Sequence, residues 1–247
     1  MATIRAIAPA KINLTLHVTG QREDGYHLLD SLVVFAGVCD QLGATISPDL
    51  KMSVTGPFST GVPIDETNLM MRASQLLRRT RGVTKGAVLT LEKHLPHAAG
   101  IGSGSCDAAV TLAMLADLWR VAPLEATDPA VAALGADVPV CLAAPNPMRM
   151  SGIGDILAPV PRLPSCAIVL VRPKVAVPTA QVLAKMTNKN GAPMTGIPAK
   201  ADYDTFVTWL RDQRNDMQAA AAQIAPEISA LIAKLKSLPG VSVAGMS

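Results

Sequence analysis

Apolar and polar residues alternate over two long stretches near the start of the chain. The first is IRAIAPAKINLTLHVTG, residues 4–20, and the second is LLDSLVVFAGV, residues 28–38. Between them, QREDGYH has the composition of a turn. Period-two alternation with β-branched residues predicts two strands joined by a loop and paired in one sheet. The segment GAVLTLEKHLP, residues 86–96, predicts a further strand.

Helical spacing appears first in DETNLMMRASQLLRRT, residues 65–80. Its leucines and Ala73 fall on one face with arginines opposite, and Asp65 is placed to cap the helix. An alanine- and leucine-rich helix is predicted to begin near Ser105 and to run to Trp119. Residues 122–135 predict a loop with a short helix, and residues 198–238 predict two helices.

The segment 135–160 is rich in proline and glycine and predicts loops, which often carry functional sites on a rigid scaffold. Prolines bracket an apolar run within residues 159–179, which predicts a strand, and VSVAGMS at residues 241–247 predicts a strand running into a glycine turn. A domain boundary is expected near residues 155–165. Alternation of strands and helices along the chain indicates an α/β fold.

The amino-acid composition limits the classes of protein to which this chain can belong. About half of the 247 residues are apolar, so the chain can bury a core in one large or two smaller domains. The net charge of +3 comes from scattered lysines and arginines, which argues against a nucleic-acid partner. Neither a signal peptide nor an apolar run of 18 residues is recognisable, so we expect a soluble, cytoplasmic chain without a membrane partner. The four cysteines are widely spaced, which indicates neither a disulfide framework nor a metal site.

Three glycines at alternate positions, Gly100, Gly102 and Gly104, precede Ser105, which stands at the expected N-cap of the predicted helix. Without Cβ atoms the backbone can adopt positive φ and approach a ligand closely. Free N–H groups and the positive end of the helix dipole would then form an anion site, and phosphate is the usual anion. The pattern is neither a P-loop nor a dinucleotide fingerprint. The alternative is a strand-to-helix turn that only needs flexibility.

Two charged residues lie in apolar surroundings. Lys11, in APAKINLTL, needs an anion if its ammonium is buried, or else its stem lies on the surface with the charge in water. Asp137, in GADVPV, could serve as a general base, or it could simply cap a helix or turn.

Tyr26 and His27 follow a glycine in the first loop, where the tyrosine could stack on a ring or merely pack. Cys106, with His97 upstream, raises the possibility of a thiolate nucleophile, although a small buried cysteine is the simpler interpretation. Asp107 is most simply a residue that stabilises the helix dipole.

These segments together resemble one family. APAKINLTLHVTGQREDGYHLLDS, LPHAAGIGSGSCDAA, LGADVPVCL, SGIGDIL, VPTAQV and RNDM are similar to segments of the GHMP kinases, over nearly the whole chain. The DGYH segment is typical of the members that act on a cytidylyl sugar alcohol. The resemblance implies a two-domain α/β (α+β) fold with the active site in the interdomain cleft. It implies an N-terminal kinase domain over residues 1–157 and a C-terminal α+β domain over residues 158–247.

The resemblance also implies the reaction, ATP-dependent phosphorylation of the 2-hydroxyl of the sugar alcohol in the non-mevalonate isoprenoid pathway, with Mg²⁺ accompanying ATP. Lys11 and Asp137 would be the catalytic pair, and Asn13, Tyr26, His27 and Thr179 would bind the substrate, with the cytosine at Tyr26 and His27. Ser105 would lie nearest the magnesium, whose ligands are otherwise unassigned. ATP would be bound by Asn68, Lys93, Pro96, His97, Ala98, Ala99, Gly100, Ile101, Gly102, Ser103, Gly104, Ser105 and Cys106.

The sequence departs from the family pattern at several positions. The glycine-rich loop is residues 98–106, and in it Ala98, Ser103 and Cys106 replace two glycines and a serine. Leu183 stands where relatives often carry an aromatic residue. The family continues beyond GMS into a third glycine-rich motif, which the C-terminal domain is expected to lack. Two alternatives stay open: another GHMP kinase, of the homoserine or mevalonate type, and a non-catalytic nucleotide-binding relative. The oligomeric state is not predicted.

Overall fold

The computed structural model describes residues 3–247 and has a mixed α/β architecture. The strands are β1 (Thr3–Asn13), β2 (His17–Gln21), β3 (His27–Ser47), β4 (Lys51–Thr55), β5 (Gly86–Glu92), β6 (Met148–Gly152) and β7 (Ile156–Pro159). The helices are α1 (Leu69–Arg81), α2 (Ser103–Trp119), α3 (Pro129–Ala132), α4 (Val138–Cys141), α5 (Thr179–Lys185), α6 (Tyr203–Arg211), α7 (Gln218–Ile224) and α8 (Glu227–Lys236). The predicted α/β class is confirmed.

The chain divides into two compact units. Unit 1 contains the described residues up to Lys11 together with Phe35–His97 and Ile101–Asn146, and unit 2 contains Ile12–Val34, Ala98–Gly100 and Pro147–Ser247. This division differs from the boundary predicted at residue 157, because residues 12–34 belong with the C-terminal part of the chain. Strand pairing gives the reason, since β3 pairs with β6 from Leu29 to Val33.

Unit 1 is built on the later part of β3. That part pairs antiparallel with β5, from Gln41 opposite Glu92 to Ser47 opposite Gly86, and β4 runs parallel to β5. Helices α1 and α2 pack together, and Leu77, Leu89 and Leu115 are fully buried. Strand β4, KMSVT, was not predicted, because a five-residue amphipathic run carries little signal of its own.

Helix α1 shows how the sequence sets the bounds of an element. Asn68 caps the helix, with its side-chain oxygen accepting the backbone N–H of Met70 at 2.8 Å. Asp65, the predicted cap, accepts from Thr67 instead. Gly82 ends the helix with φ of +64°, a left-handed conformation that glycine adopts at little cost.

Unit 2 combines the first part of β3, strands β2, β6 and β7, and helices α5–α8. One buried cluster joins Val18 of β2 to Val182 and Ala221, and a second contains Leu32, Met194 and Phe206. Strands β6 and β7 lie in a segment predicted as loops. Residues 198–238 form three helices where two were predicted, because Pro226 lacks the N–H needed to continue α7.

Two predicted strands are wrong. Neither the apolar run at residues 165–171 nor residues 241–247 forms a strand in the described structure. A strand needs a neighbouring main chain to bond to, and β propensity without such a neighbour does not specify one. None of the helices within residues 3–247 has the length and apolar character required to span a bilayer.

Candidate active site

Two glycines in the glycine-rich loop before helix α2 have a left-handed backbone conformation. Gly100 has φ of +73° and Gly102 has φ of +59°. Gly102 occupies the N-cap position of α2 and has no side chain that could accept a capping hydrogen bond. The helix therefore begins at Ser103 rather than at Ser105, which lies in the first turn instead of capping it. Gly104 is helical and has no positive φ. The first-turn N–H groups, which have no acceptor within the helix, are available to an anion.

Lys11 and Asp137 form an ion pair in unit 1. The Nζ atom of Lys11 lies 2.9 Å from Oδ2 of Asp137, and their side chains are 5% and 33% exposed. Burial of Lys11 contradicts the interpretation in which its ammonium reaches water. Asp137 occupies the N-cap position of α4, but its side chain makes no capping hydrogen bond. Its carboxylate is thus directed to the lysine rather than to the helix.

Gly102 lies against this ion pair. A Cβ atom at Gly102 would stand 3.0 Å from both Cβ and Cε of Lys11 and 3.7 Å from Oδ2 of Asp137. The backbone N–H of Lys11 donates to the carbonyl of Ile101 at 2.9 Å, which ties strand β1 to the loop. The first turn of α2 and the Lys11–Asp137 pair therefore form one cluster.

Lys93 lies in a second, fully buried charge cluster in unit 1. Its Nζ atom donates to Oδ2 of Asp40 at 2.5 Å and to Oδ2 of Asp107 at 2.6 Å, and the lysine side chain is 2% exposed. Asp107 therefore serves as a partner of Lys93, a role that the sequence-based interpretation as a dipole-stabilising helix residue did not include. Asp40 was not predicted, although a single carboxylate inside the apolar run VVFAGVCDQLGA was a usable signal.

The pKa of Asp107 is raised from 3.8 to about 7, chiefly because burial disfavours the charged carboxylate; Lys93 opposes the shift, and Asp40 adds to it. Its Oδ1 atom has no hydrogen-bond partner among the described residues. A proton on this oxygen would leave one carboxylate and one ammonium in the cluster.

We expect the stability of the wild-type protein to fall, relative to that of Asp107→Asn, as the pH rises from 3.8 to about 7. Across that window the folded state holds a proton that the unfolded state has released, so stability is lost as the pH rises. The difference should be on the order of a few kcal/mol. Urea unfolding of both proteins at several pH values measures it, and parallel pH curves would contradict the shift.

Asn68, His97 and Ser103, which are predicted to bind ATP, have structural contacts of their own within unit 1. The side-chain amide of Asn68 donates to the carbonyl of Pro63 at 2.7 Å in addition to capping α1. The ring Nε2 of His97 lies 3.2 Å from the carbonyl oxygen of Thr60. The hydroxyl of Ser103 donates to the carbonyl of Pro96 at 3.4 Å. Their roles toward ATP stay predictions.

Cys106 is buried, and its Sγ lies 2.8 Å from Sγ of Cys141, with both cysteines free. Burial raises the pKa of Cys141. Within the described chain, no hydrogen bond joins Cys106 to His97. Cys106 and His97 thus do not form the thiol–imidazole pair that the nucleophile hypothesis requires.

The predicted substrate residues lie in unit 2. Tyr26 is 59% exposed at the end of a turn, which argues against a packing role. His27 begins β3; its pKa is lowered by burial and by nearby Lys189, which favours the neutral ring, and its Nε2 has no hydrogen-bond partner among the described residues. Asn13 is buried and donates to the hydroxyl of Ser31 at 2.6 Å. Thr179 is exposed at the first position of α5.

Ala98 stands where the family pattern has glycine, and it adopts φ of +53°. This conformation costs an L-residue roughly 1–2 kcal/mol. Ala99, the next residue, has no positive φ.

We expect Ala98→Gly to increase the free energy of unfolding by about 0.5–1 kcal/mol, because relief of the left-handed strain exceeds the entropy that glycine loses. Denaturant unfolding provides the measurement. The control is Ala99→Gly, which should be destabilising by about the same amount. A destabilised Ala98→Gly protein would show that residue 98 is not strained.

Comparison with known proteins identifies relatives of this arrangement. The sequence model of the GHMP kinases N terminal domain matches residues 68–158, which include α1, the glycine-rich loop, α2 and Asp137. The chain is 49% identical over 246 residues to a 4-diphosphocytidyl-2-C-methyl-D-erythritol kinase of Jannaschia sp., covering 100% of this chain and 86% of that relative. It is also 49% identical over 245 residues to the protein of the same name in Ruegeria pomeroyi, with 99% and 85% covered.

Among solved structures, the fold is similar to that of a 4-(cytidine 5'-diphospho)-2C-methyl-D-erythritol kinase. The TM-score is 0.70 at 28% sequence identity, covering 95% of this chain and 83% of the other.

Proposed function

We propose that this protein transfers the γ-phosphoryl group of ATP to the 2-hydroxyl of 4-diphosphocytidyl-2-C-methyl-D-erythritol. The chain belongs to the 4-diphosphocytidyl-2-C-methyl-D-erythritol kinase family of the GHMP kinases. Membership makes it a small-molecule kinase that uses ATP. The pathway we propose is the non-mevalonate route to isoprenoids, and the compartment is the cytoplasm.

The observation that carries the proposal is the ion pair beside the start of a helix. Lys11 and Asp137 are 2.9 Å apart, and both lie next to Gly102, where helix α2 presents its first N–H groups. Phosphoryl transfer depends mainly on positioning and on charge neutralisation. An anion site directly beside a carboxylate and an ammonium supplies both.

In this reaction Asp137 accepts the proton of the attacking 2-hydroxyl. Its carboxylate is partly exposed, so an alcohol can approach it, and the buried Lys11 ammonium lies 2.9 Å away. The Lys11 ammonium stabilises negative charge as it develops on the attacking oxygen. The N–H groups of the first turn of α2 hold the phosphates in place.

Tyr26 and His27 are proposed to recognise the cytosine. The exposed ring of Tyr26 offers a face for stacking. A neutral His27, whose Nε2 has no hydrogen-bond partner among the described residues, can donate to or accept from the polar edge of the base.

Mg²⁺ is proposed to enter with ATP. It usually keeps phosphate oxygens and water as ligands, with one or two protein oxygens. The half-buried Ser105 and the partly exposed Asp137 can supply such oxygens, so the residues fit a nucleotide-borne ion. Within residues 3–247 no cluster of three His, Cys, Asp or Glu side chains could hold a metal by itself. When bound, the ion neutralises phosphate charge.

The proposal is tested by coupled ADP release with the cytidylyl substrate, with homoserine, with mevalonate and with no acceptor. Release that depends on the cytidylyl substrate alone supports it. Release with homoserine or mevalonate instead would indicate a different GHMP kinase, and ATP binding without release would indicate a non-catalytic nucleotide-binding protein.

Tyr26→Ala should raise the KM for the cytidylyl substrate and leave the KM for ATP nearly unchanged. Stacking on one base is worth roughly 1–3 kcal/mol, which corresponds to a rise of about 5- to 150-fold. Tyr203, the second tyrosine of the chain, is also exposed, so Tyr203→Ala is the matched control. An equal rise in both KM values for Tyr26→Ala would show that Tyr26 acts structurally.

A further inference from the structure

The buried cluster of Asp40, Lys93 and Asp107 brackets the glycine-rich loop along the sequence. Lys93 comes just before the loop, Asp107 lies in helix α2 just after it, and Asp40 belongs to β3. All three side chains are almost completely buried, and the Lys93 ammonium lies 2.5 Å from Oδ2 of Asp40 and 2.6 Å from Oδ2 of Asp107. Burying this many charges costs free energy, so the cluster is a poor device for stability alone.

Asp40 and Lys93 fix the backbone at the start of the glycine-rich loop. Oδ1 of Asp40 accepts the backbone N–H of His94 at 2.6 Å and of Leu95 at 2.8 Å, while its other oxygen accepts from Lys93. The backbone N–H of Lys93 donates to the carbonyl of Thr55 at 2.7 Å. The three residues that precede Pro96 therefore have their backbone direction set by hydrogen bonds.

The bond between Lys93 and Asp107 fixes the position at which the glycine-rich loop ends. The bond between Lys93 and Asp107 joins residues separated by 14 positions, and the segment 96–102 lies between them. Asp107 is the fifth residue of α2, so its side chain ties the start of that helix to Lys93. The two ends of the loop are thus joined through one ammonium group.

We propose that Asp40, Lys93 and Asp107 are positioning residues that set the geometry of the glycine-rich loop for the phosphates of ATP, without touching the nucleotide. The inference rests on the proposed function, since it assumes that this loop binds ATP. It gives Lys93 a different role from the direct contact near adenine that the family resemblance implies. Its ammonium is bonded to Asp40 and Asp107, and its effect reaches ATP through the backbone.

The test separates these roles by comparing two ligands, ATP and inorganic tripolyphosphate, which has no adenine. Lys93→Met and Asp107→Asn are titrated with each ligand by calorimetry. A positioning role predicts that Kd rises for both ligands by the same factor, about tenfold for Lys93→Met, since small misplacement of a binding group is costly. A direct adenine contact predicts a rise for ATP only, which would overturn the proposal.

Asp107→Asn keeps the shape of the side chain and the possibility of a hydrogen bond to Lys93, so it covers the case in which Lys93→Met does not fold. We expect a smaller rise in Kd for both ligands and a higher KM for ATP, with the KM for the cytidylyl substrate unchanged. A rise in both KM values would indicate a merely structural cluster and would overturn the proposal.

The matched control is Arg149→Met, which removes a cationic partner from a carboxylate, Asp30, in unit 2, where the two side chains are 2.6 Å apart. Its Kd values for ATP and tripolyphosphate should equal those of the wild type. A wild-type protein that binds ATP but phosphorylates nothing would refute the proposed function alone. An active wild type with unchanged Kd in both cluster variants would refute this inference alone.

Discussion

Asp137→Asn should lower kcat by about 10²–10⁴, the range for loss of a general base, with both substrates still bound. The substitution keeps the shape of the side chain and removes the charge that accepts the hydroxyl proton. Single-turnover phosphoryl transfer measures the chemical step directly. Asp204→Asn, on the exposed face of α6, is the control and should retain wild-type kcat. Near-wild-type turnover by Asp137→Asn, with chemistry limiting, would rule out the base role.

Lys11→Met should lower kcat to a similar extent, because its ammonium and the carboxylate of Asp137 act on the same oxygen. The double variant should be little worse than either single variant, since residues that act as a unit are not additive. Additive losses would instead indicate that the two side chains serve separate steps.

Gly102→Val should weaken ATP binding by a few kcal/mol, because several charge-assisted hydrogen bonds would be lost together. The substitution is unfavourable for two reasons. The φ of +59° strains any L-residue, and the new Cβ would stand only 3.0 Å from Lys11. Calorimetric titration with ATP is the measurement.

Gly82→Val is the control that separates the effect of backbone strain from the effect of the close contact with Lys11. Gly82 has φ of +64°, and a Cβ added there would meet no described atom within 4 Å, so the variant carries similar backbone strain away from the loop. Its stability should fall while its affinity for ATP is kept. Gly104→Val should have a smaller effect than Gly102→Val, because its Cβ would make only an ordinary contact, 3.7 Å from Leu69. If Gly102→Val bound ATP with wild-type affinity, the glycine-rich loop would not be the phosphate-binding site.

Sequence patterns predicted the elements whose periodicity is long enough to be specific. Strand β5 and helices α1 and α2 follow directly from apolar spacing, although the first residue of α2 was placed two positions too late. That error arose because serine is a common cap, whereas here a left-handed Gly102 makes the turn. Residues 165–171 have the composition of a strand without forming one, because pairing depends on distant parts of the chain that local sequence does not specify.

Part of the candidate site could also be predicted from local sequence. Lys11 and Asp137 each stand out as single charges in apolar segments, and the structure brings them into contact. The cluster around Lys93 was not predicted as a cluster, because its members lie on β3, after β5 and in α2, and only the packing of unit 1 brings them together. Burial, which decides the pKa of Asp107, is likewise a property of packing.

The apolar run at residues 165–171, which forms no strand, has a consequence for the behaviour of this protein in concentrated solution. Ile168, Val169, Leu170 and Val171 are all exposed, and Val169 is 77% exposed. Four adjacent β-branched or aliphatic side chains are the composition of segments that nucleate intermolecular β-sheets. Pro164, Arg172 and Pro173 flank the run, and flanking prolines and charges oppose growth of such sheets. Colloidal stability is therefore expected to depend on Pro164, Arg172 and Pro173.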